Sequence, residues 1–227
     1  MNIKNIILID KPKGITSFDV IRILRRKLGI KKMGHAGTLD PLASGLMIIG
    51  INEGTKKLNE YLKLSKIYIA DILIGIKTTT GDREGEIIKK ANVNDIDEKK
   101  VKKILKEMKG KLKLQVPIYS AIKIKGKPLY EYARKRKGVE IPKKDMEILG
   151  VKLIKITDNK NDTFNIKIEI SVSSGTYIRS IAEEFGERLG YPASLSDLRR
   201  IKIGDFDIKN AQHIADERRQ KHADSPC

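Results

Sequence analysis

The segment from Gly34 to Gly45 holds the densest group of residues in this sequence that could carry out chemistry. It reads GHAGTLDPLASG and places one carboxylate, Asp40, in a tight loop between glycines and a proline. Pro41 fixes its own φ angle and restricts Asp40 to extended backbone, so the carboxylate is held in one direction. A preorganised acid just before a buried strand suits a nucleophile or a general base.

Two other interpretations of this segment stay open on sequence alone. An Asp before a Pro in a loop commonly initiates a turn and needs no chemical role. The spacing of Gly34 and Gly37 also fits the G-x-x-G loop with which KH domains bind a nucleic-acid backbone, although the His-Ala pair between them lacks the usual cation. The segment is therefore a candidate active site, with a turn and a phosphate-binding loop as the alternatives.

The charge of the chain indicates a polyanionic partner. The 227 residues include 47 Lys and Arg against 29 Asp and Glu, which gives a net charge of +18. Such an excess attracts polyanions, and nucleic acid is the commonest of these in a cell. A Lys-rich surface can also arise from compositional drift, and charge does not distinguish DNA from RNA.

The sequence lacks the motifs of several cofactor-dependent enzyme classes. It contains no G-x-x-x-x-G-K-[ST], no G-x-G-x-x-G and no H-E-x-x-H, and its one Cys is the last residue. The three histidines are not at metal-ligand spacing. Nucleotide hydrolysis, Rossmann-type chemistry and zinc catalysis therefore lose support, and we expect neither a cofactor nor a metal.

The hydropathy pattern indicates a soluble, cytoplasmic protein. The longest uncharged run, residues 41–52, is well short of the ~18 apolar residues that a membrane helix needs. The N-terminal segment has a short apolar run that ends in Asp10, which is not a secretory signal.

The elements that must position the Asp40 loop mix strands and helices without a βαβ repeat. This pattern favours an α+β fold with a mixed, largely antiparallel central sheet and flanking helices. A helix is expected that Thr16 or Ser17 caps and Gly29 ends, and residues 33–44 are expected to be a loop. Hydrophobic spacing predicts strands at 3–9, 46–51, 68–76, 146–156, 163–173 and a pair near 198–208. It also predicts further helices at 53–64, at 97–109, where Gly110 closes the helix, and at 177–189.

Several short blocks occur in the order that is typical of one enzyme family. Besides GHAGTLDPLASG they are DKPKG at 10–14, KIY at 66–68, PIYSAIK at 117–123 with Gly126, LYEYAR at 129–134, GTYIR at 175–179 and LRR at 198–200. Together these blocks resemble the TruB family of tRNA pseudouridine synthases, which is related to the catalytic subunit of the box H/ACA particle. The resemblance covers residues 3–210.

The resemblance implies isomerisation of one uridine, normally position 55 in the T-loop of tRNA, to pseudouridine by base flipping and without a cofactor. Asp40 matches the catalytic aspartate, Tyr68 the tyrosine that stacks on the target base and later removes its C5 proton, and Arg179 the arginine paired with the aspartate. Family residues that contact the flipped nucleotide or shape its pocket are matched by His35, Tyr177 and Leu198. Whether Asp40 attacks C1′, adds to C6 or abstracts the 2′ proton stays open.

Each supporting residue also has a purely structural interpretation. Tyr68 and Leu198 are as well explained by core packing, and Arg179 by a solvated or surface-paired position on a helix. His35 could cap the loop. Only their joint occurrence around the Asp40 block favours the functional interpretation.

A basic arm at residues 119–136 resembles the mobile thumb that closes over the T-loop in this family. Its interleaved Tyr, Lys and Arg side chains suit base stacking and phosphate contact, although a solvated hairpin plus helix explains them too. Residues 135–138 make the arm about two residues longer than usual. We expect RNA contacts at Lys11, Lys123, Tyr130, Arg134 and Arg199.

We predict a single catalytic domain at residues 1–210, with the thumb-like insertion at about 115–144, and a polar tail at 211–227. Family members usually continue into a PUA-like C-terminal domain that grips the acceptor stem, which is not recognised here. Truncation, a minimal enzyme and an altered terminus are the open explanations.

Three functional hypotheses follow from these features. The first is a monomeric enzyme that acts on the T-arm of tRNA, with no membrane association and no obligate protein partner. The second is a non-catalytic RNA-binding module or tRNA chaperone of the same fold. The third, a guide-dependent subunit, would require partner-docking extensions that the sequence lacks. Asp40, Tyr68 and Arg179 together favour the enzyme, because a pure binding module needs no buried acid.

Overall fold

The computed structural model of the chain describes residues 5–135 and 138–214. The strands in these ranges are β1 (Ile6–Lys11), β2 (Met33–Ala36), β3 (Ser44–Ile51), β4 (Lys66–Ile74), β5 (Ile76–Thr78), β6 (Ile87–Lys90), β7 (Gly110–Gln115), β8 (Lys123–Ile124), β9 (Lys127–Pro128), β10 (Lys143–Asp158), β11 (Phe164–Val172), β12 (Ala193–Ile203), β13 (Phe206–Asp207) and β14 (Gln212–His213). The α-helices are α1 (Ser17–Leu28), α2 (Leu58–Lys63), α3 (Glu98–Glu107), α4 (Leu129–Arg134) and α5 (Ile178–Leu189).

The chain divides into two compact units. The first unit comprises residues 1–66 and 199–227, and the second comprises residues 67–198. Strand β12 therefore supplies its C-terminal part to the first unit and its N-terminal part to the second.

The first unit is built around β3, whose eight residues are all buried. Strand β3 pairs antiparallel with β1 and β2 and parallel with the end of β12, while β14 pairs parallel with β1. Leu46 and Ile48 of β3 pack with Ala36 of β2 and Ile203 of β12 in one hydrophobic cluster. The continuous apolar run in the sequence is explained by this burial on both faces.

Helix α1 begins and ends where its sequence predicts. Thr16 is the N-cap, and its Oγ accepts a hydrogen bond from the Asp19 backbone N–H at 3.0 Å, while the Asp19 carboxylate accepts from the Thr16 N–H at 2.8 Å. Gly29 ends the helix in the left-handed conformation, which a residue without Cβ adopts at little cost. Val20 and Leu24 lie on its buried face.

The second unit has the strand order β12–β4–β11–β10–β7. Strands β10 and β11 form the long antiparallel hairpin that the alternating sequence predicted, and β7 pairs antiparallel with β10. Helices α3 and α5 pack against each other in this unit. The α+β class and the mixed, largely antiparallel pairing are therefore confirmed.

Four local predictions were wrong. Residues 33–36 form strand β2 and not a loop, because they pair with the apolar strand β3. The helix expected at 53–64 is a 3₁₀-helix at Asn52–Lys57 followed by α2. Gly110 opens β7 and does not cap α3, whose C-cap is Met108. Residues 212–213, expected in the polar tail, form β14, and the remainder of that tail lies outside the described residues.

Candidate active site

The loop that carries Asp40 joins β2 to β3 and is held by backbone and side-chain hydrogen bonds from the segment that leads into α1. The buried Ser17 hydroxyl accepts a hydrogen bond from the Leu39 N–H at 2.8 Å and donates to the Leu39 carbonyl at 3.0 Å. The Gly14 N–H donates to the Pro41 carbonyl at 2.8 Å. The backbone on both sides of Asp40 is therefore held by hydrogen bonds, as a preorganised carboxylate requires.

Asp40 also makes the turn that the simpler interpretation expected. Its carbonyl accepts a hydrogen bond from the Ala43 N–H at 3.0 Å. Leu39, Leu42 and Ala43 are buried, whereas Asp40 itself is half-buried. The turn and the chemical role are compatible, because the turn uses the backbone carbonyl of Asp40 and not its carboxylate.

Arg200 holds the same loop from strand β12. Its side chain is fully buried, and its Nε donates to the Leu46 carbonyl at 2.7 Å while Nη2 donates to the Gly37 carbonyl at 3.1 Å. A Cβ on Gly45 would lie 2.2 Å from the Arg200 carbonyl oxygen, so this position admits only glycine. The sequence blocks contain Arg200 and Gly45 but gave neither a role.

His35 lies in β2, two residues before the Asp40 loop begins. Its ring is half-buried, and its Nδ1 has no hydrogen-bond partner among the described residues. Burial, and then the charge of Arg200, lower the pKa of His35 below its usual value, so the imidazole is neutral near pH 7. The KH-type interpretation was also wrong, because Gly34, His35 and Ala36 belong to a paired strand.

The two basic residues of the first unit that we expected to contact RNA occupy different environments. The Lys11 side chain is fully buried, and its Nζ donates to the Pro12 and Ile15 carbonyls at 2.9 and 2.7 Å. A direct RNA contact at Lys11 is therefore contradicted by its burial. Arg199 is partly exposed and makes a bidentate pair with the buried Asp10, at 2.7 Å for Nη2–Oδ2 and 3.2 Å for Nη1–Oδ1.

Lys66 is a third buried cation of the first unit, after Arg200 and Lys11. Its Nζ donates to the Leu62 and Leu64 carbonyls, both at 2.6 Å. Burial, with a smaller contribution from the charge of Arg200, lowers the pKa of Lys66 to about 8. The Lys of the KIY block thus has a structural role here, because it binds backbone carbonyls at the end of α2.

Arg179 is a buried, hydrogen-bonded cation of the second unit. It is the second residue of α5, and its guanidinium donates to the Thr80 carbonyl at 3.0 Å and to the Tyr119 carbonyl at 3.1 Å. Its side chain is buried, so the interpretation as a solvated helix residue was wrong. The Asp82 carboxylate lies 3.8 Å from Nη1.

Asp82 is a buried acid that the sequence reasoning missed. Its Oδ1 accepts hydrogen bonds from the Thr80 hydroxyl at 2.6 Å and the Glu84 N–H at 3.1 Å. A Cβ on Gly85 would lie 2.4 Å from the Thr80 hydroxyl oxygen. The sequence did contain a signal for Asp82. Like Asp40, it is an acid in a loop rich in Thr and Gly.

The aromatic and apolar residues predicted for the nucleotide pocket lie in the second unit. Tyr68 is buried in β4, on the same face as Ala70 and Ile72. Tyr177 is the half-buried N-cap of α5, with the Lys144 Nζ 5.8 Å from its ring centroid. Leu198 is buried in β12. These positions suit pocket walls and core packing equally, so the roles of these residues stay predictions.

The basic arm consists of a small hairpin, β8 and β9, followed by α4. The Tyr132 hydroxyl donates to the Ile124 carbonyl at 3.0 Å, and the Arg134 guanidinium lies 5.3 Å from the Tyr130 ring centroid. Lys123 and Arg134 are exposed and Tyr130 is half-buried. The proposed lengthening at 135–138 lies partly outside the described residues.

The structure brings the predicted site residues together in two groups. The first unit contains Lys11, His35, Asp40 and Arg199, and the second contains Tyr68, Lys123, Tyr130, Arg134, Tyr177, Arg179 and Leu198.

In the described ranges, no three His, Cys, Asp or Glu side chains form a group that could hold a metal. Nor is any helix there long and apolar enough to cross a membrane.

Comparison with known proteins gives one consistent family. The family model for "TruB family pseudouridylate synthase (N terminal domain)" matches residues 25–178. The chain is 41% identical to tRNA pseudouridine synthase B of Bacillus subtilis over 91% of this chain and 67% of that protein. It is 42% identical to the protein of the same name from Malacoplasma penetrans, over 92% of this chain and 88% of that one.

A solved structure supports the fold independently. The crystal structure of a Cbf5-Nop10-Gar1 complex contains a chain that matches with a TM-score of 0.71 at 24% identity. The match covers 93% of this chain and 52% of the other, so this protein spans about half the length of that relative. Since the family model covers well over half of its residues, the chain belongs to the TruB family of pseudouridylate synthases.

Proposed function

We propose that this protein isomerises a uridine in tRNA to pseudouridine, with Asp40 as its catalytic carboxylate. The observation that carries the proposal is the fixed Asp40 loop, in a chain about 40% identical to proteins named tRNA pseudouridine synthase B over most of its length. The net charge of +18 suits a polyanionic substrate.

The reaction moves the uracil on its ribose without changing the atoms of the substrate. The C1′–N1 bond breaks, the base rotates, a C1′–C5 bond forms, and the C5 proton leaves while N1 gains one. No oxidant or reductant is needed for this balance. A nucleotide in a folded loop must first be flipped out of its stack. In other base-flipping enzymes this unstacking costs about a few kcal/mol.

We assign roles to three residues on the basis of the family. Asp40 starts the chemistry from a loop whose flanking peptide groups are fixed. Tyr68 stacks on the flipped base, and its hydroxyl helps to remove the C5 proton. Arg179 supplies a positive charge, and its hydrogen bonds to two backbone carbonyls hold its guanidinium in one orientation.

We further propose the T-loop of tRNA, at position 55, as the site of modification. The partly exposed Arg199 and the basic arm with Lys123, Tyr130 and Arg134 are the residues that we propose as RNA contacts. His35, Tyr177 and Leu198 are proposed to line the nucleotide pocket. A monomer that acts in the cytoplasm, where tRNA is found, is the simplest form of this proposal.

The test is incubation of the protein with an unmodified tRNA transcript, followed by chemical mapping of pseudouridine. We expect one modified uridine in the T-loop, and none in a transcript in which that uridine is replaced by cytidine. Modification at another position would retain the activity and overturn the T-loop assignment. Binding without any pseudouridine would favour the non-catalytic RNA-binding module instead.

A further inference from the structure

The outward face of α1 carries an arrangement of side chains that the catalytic assignment does not use. Phe18 is 56% exposed, although it is a large hydrophobic residue at the start of a well-formed helix. The guanidinium carbons of Arg22 and Arg25 lie 5.7 and 6.0 Å from the centroid of the Phe18 ring. These three residues are at i, i+4 and i+7, so they share one face of the helix.

The charge around this face is strongly positive. Residues 25–32 include five Lys and Arg and no Asp or Glu. The acid within α1 is Asp19, in its first turn, where it completes the cap with Thr16 and pairs with Arg22. Even so, the Arg22 side chain is 64% exposed, so its remaining donors face solvent. Arg25 is half-buried, and its Nη2 donates to the Met33 carbonyl at 3.2 Å, so Arg25 adds its charge to this face while part of its guanidinium is bound by the protein.

The α1 face begins at the Asp40 loop. Ser17, the first residue of α1, is hydrogen-bonded to both polar backbone groups of Leu39. Phe18 is the next residue along the chain. From this point the twelve residues of the helix rise by about 18 Å, so the basic face extends away from the loop that holds the catalytic carboxylate.

We propose that this α1 surface, made of Phe18, Arg22, Arg25 and Arg26, binds phosphates of the RNA strand that flanks the reacting nucleotide. The proposal rests on the proposed function, because the loop beside the surface must hold the target uridine. Guanidinium groups match phosphate in geometry and bind it through two parallel hydrogen bonds. The Phe18 ring orients Arg22 and Arg25 through cation–π contacts, which reduces the side-chain entropy that binding would otherwise cost.

Charge complementarity is what favours RNA over a protein partner for this surface. An apolar docking site would show a contiguous apolar patch, whereas the large apolar side chain here lies between two arginines. The substrate of the neighbouring loop is itself a polyanion under the proposed function. Its backbone must continue past the flipped nucleotide in both directions.

The test compares two double variants by binding of a tRNA transcript and by steady-state kinetics. Arg22→Gln with Arg25→Gln removes two charges from the α1 surface and keeps good helix formers. Lys102→Gln with Lys103→Gln removes the same charge from exposed positions on α3 and serves as the control. Thermal unfolding of each variant verifies that the fold is retained.

We expect the α1 double variant to raise the tRNA Kd by about tenfold at ~0.1 M salt, and to lower the slope of log Kd against log salt concentration by about 1.5. The value of kcat at saturating tRNA should stay unchanged. Phe18→Leu keeps both charges, so it should raise the Kd by about threefold and leave the slope unchanged. The α3 variant should bind as the wild type does.

The outcomes separate this proposal from the proposed function. If the wild type forms pseudouridine and the α1 and α3 variants have the same Kd and slope, the α1 surface is not an RNA contact while the function stands. If the wild type binds tRNA without forming pseudouridine, the proposed function fails, and the two slopes still decide whether α1 binds phosphates. A wild type that binds no tRNA would overturn both proposals.

Discussion

The Asp40 loop and the basic arm differ in how each is held. In the loop, the buried Ser17 and Arg200 side chains bind the backbone of Leu39 and Gly37, and the Gly14 N–H binds the Pro41 carbonyl. In the arm, β8 and β9 have two residues each and α4 has six. The Tyr132 hydroxyl supplies a side-chain hydrogen bond between α4 and the hairpin of the arm.

This difference matches the two tasks that an RNA-modifying enzyme must perform. A reacting group has to be held within a fraction of an ångström, which buried hydrogen bonds achieve because no water competes for them. An RNA-binding segment gains more from exposed charge and aromatic surface that can adapt to its partner. Changes in the loop should therefore act on kcat, and changes in the arm on the apparent KM for tRNA.

The largest effect is expected for Asp40→Asn. The amide has nearly the same shape as the carboxylate but is neither nucleophilic nor basic, so isomerisation should be abolished while the Kd for tRNA and the fold are kept. Pseudouridine formation under single-turnover conditions measures the rate, and Asp205→Asn on an exposed turn of the same unit is the matched control. A rate within tenfold of wild type, with deamidation excluded, would overturn the assignment of Asp40.

The second effect tests whether the fixed loop matters for rate. Ser17→Ala leaves the Leu39 N–H and carbonyl without their side-chain partner, so we expect kcat to fall by about 10- to 100-fold with little change in KM. The free energy of unfolding should also fall by about 1–3 kcal/mol, because the unpaired backbone groups are buried.

Ser194→Ala is the control for this change. Ser194 is fully buried as well, but its hydroxyl has no hydrogen-bond partner within the described part of the chain. The control should therefore leave both kcat and stability close to wild type. Equal losses in the two variants would show that any buried serine matters, and that the Ser17 contacts do not position Asp40.

Structural features that depend on neighbouring residues could be predicted from the sequence, and features that depend on distant residues could not. The ends of α1 were predicted correctly because Thr16 and Gly29 act within one turn of the helix. Strand β2 was missed, since Gly34 and Ala36 have low strand propensity and form a strand only by pairing with β3. Single-sequence patterns do not contain such pairing information.

The same limit applies to the site. The Asp40 block was recognisable because its residues are contiguous in the sequence. Arg200 is far from Gly37 in sequence, and only the folded pairing of β12 with β3 brings its guanidinium to that loop. Lys11 shows the opposite error, because a lysine in a polar segment looks exposed until its burial in the fold is known.

A third, smaller effect is expected in the arm. Arg134 is exposed and stacks near Tyr130, so Arg134→Gln should remove one phosphate contact and raise KM for tRNA by a few fold at unchanged kcat. Steady-state kinetics at two salt concentrations measure both parameters. Lys89→Gln on β6 removes one exposed charge outside the arm and should have no effect. A fall in kcat with unchanged KM would mean that the arm takes part in the chemical step.

The smallest effect concerns the pH dependence of stability and involves His35, in the strand that leads to the Asp40 loop. Its pKa is lowered from the usual 6.5, chiefly by burial, so the folded state favours the neutral ring. The unfolded chain binds a proton near pH 6.5, so this contribution to stability is complete above that pH and is lost as the pH falls below it.

His35→Gln should therefore lose less stability than the wild type when the pH is lowered from 7.5 to 5.5. The difference is at most about 1.4 kcal/mol, the value for one proton over one pH unit. Urea unfolding of both proteins at the two pH values measures it, and the carboxylates common to both cancel in the comparison. If both proteins lose the same stability, the His35 ring takes up its proton in the folded state as readily as in the unfolded chain. The base of the loop would then be less tightly enclosed than its burial indicates, and the contrast between a fixed loop and an adaptable arm would weaken.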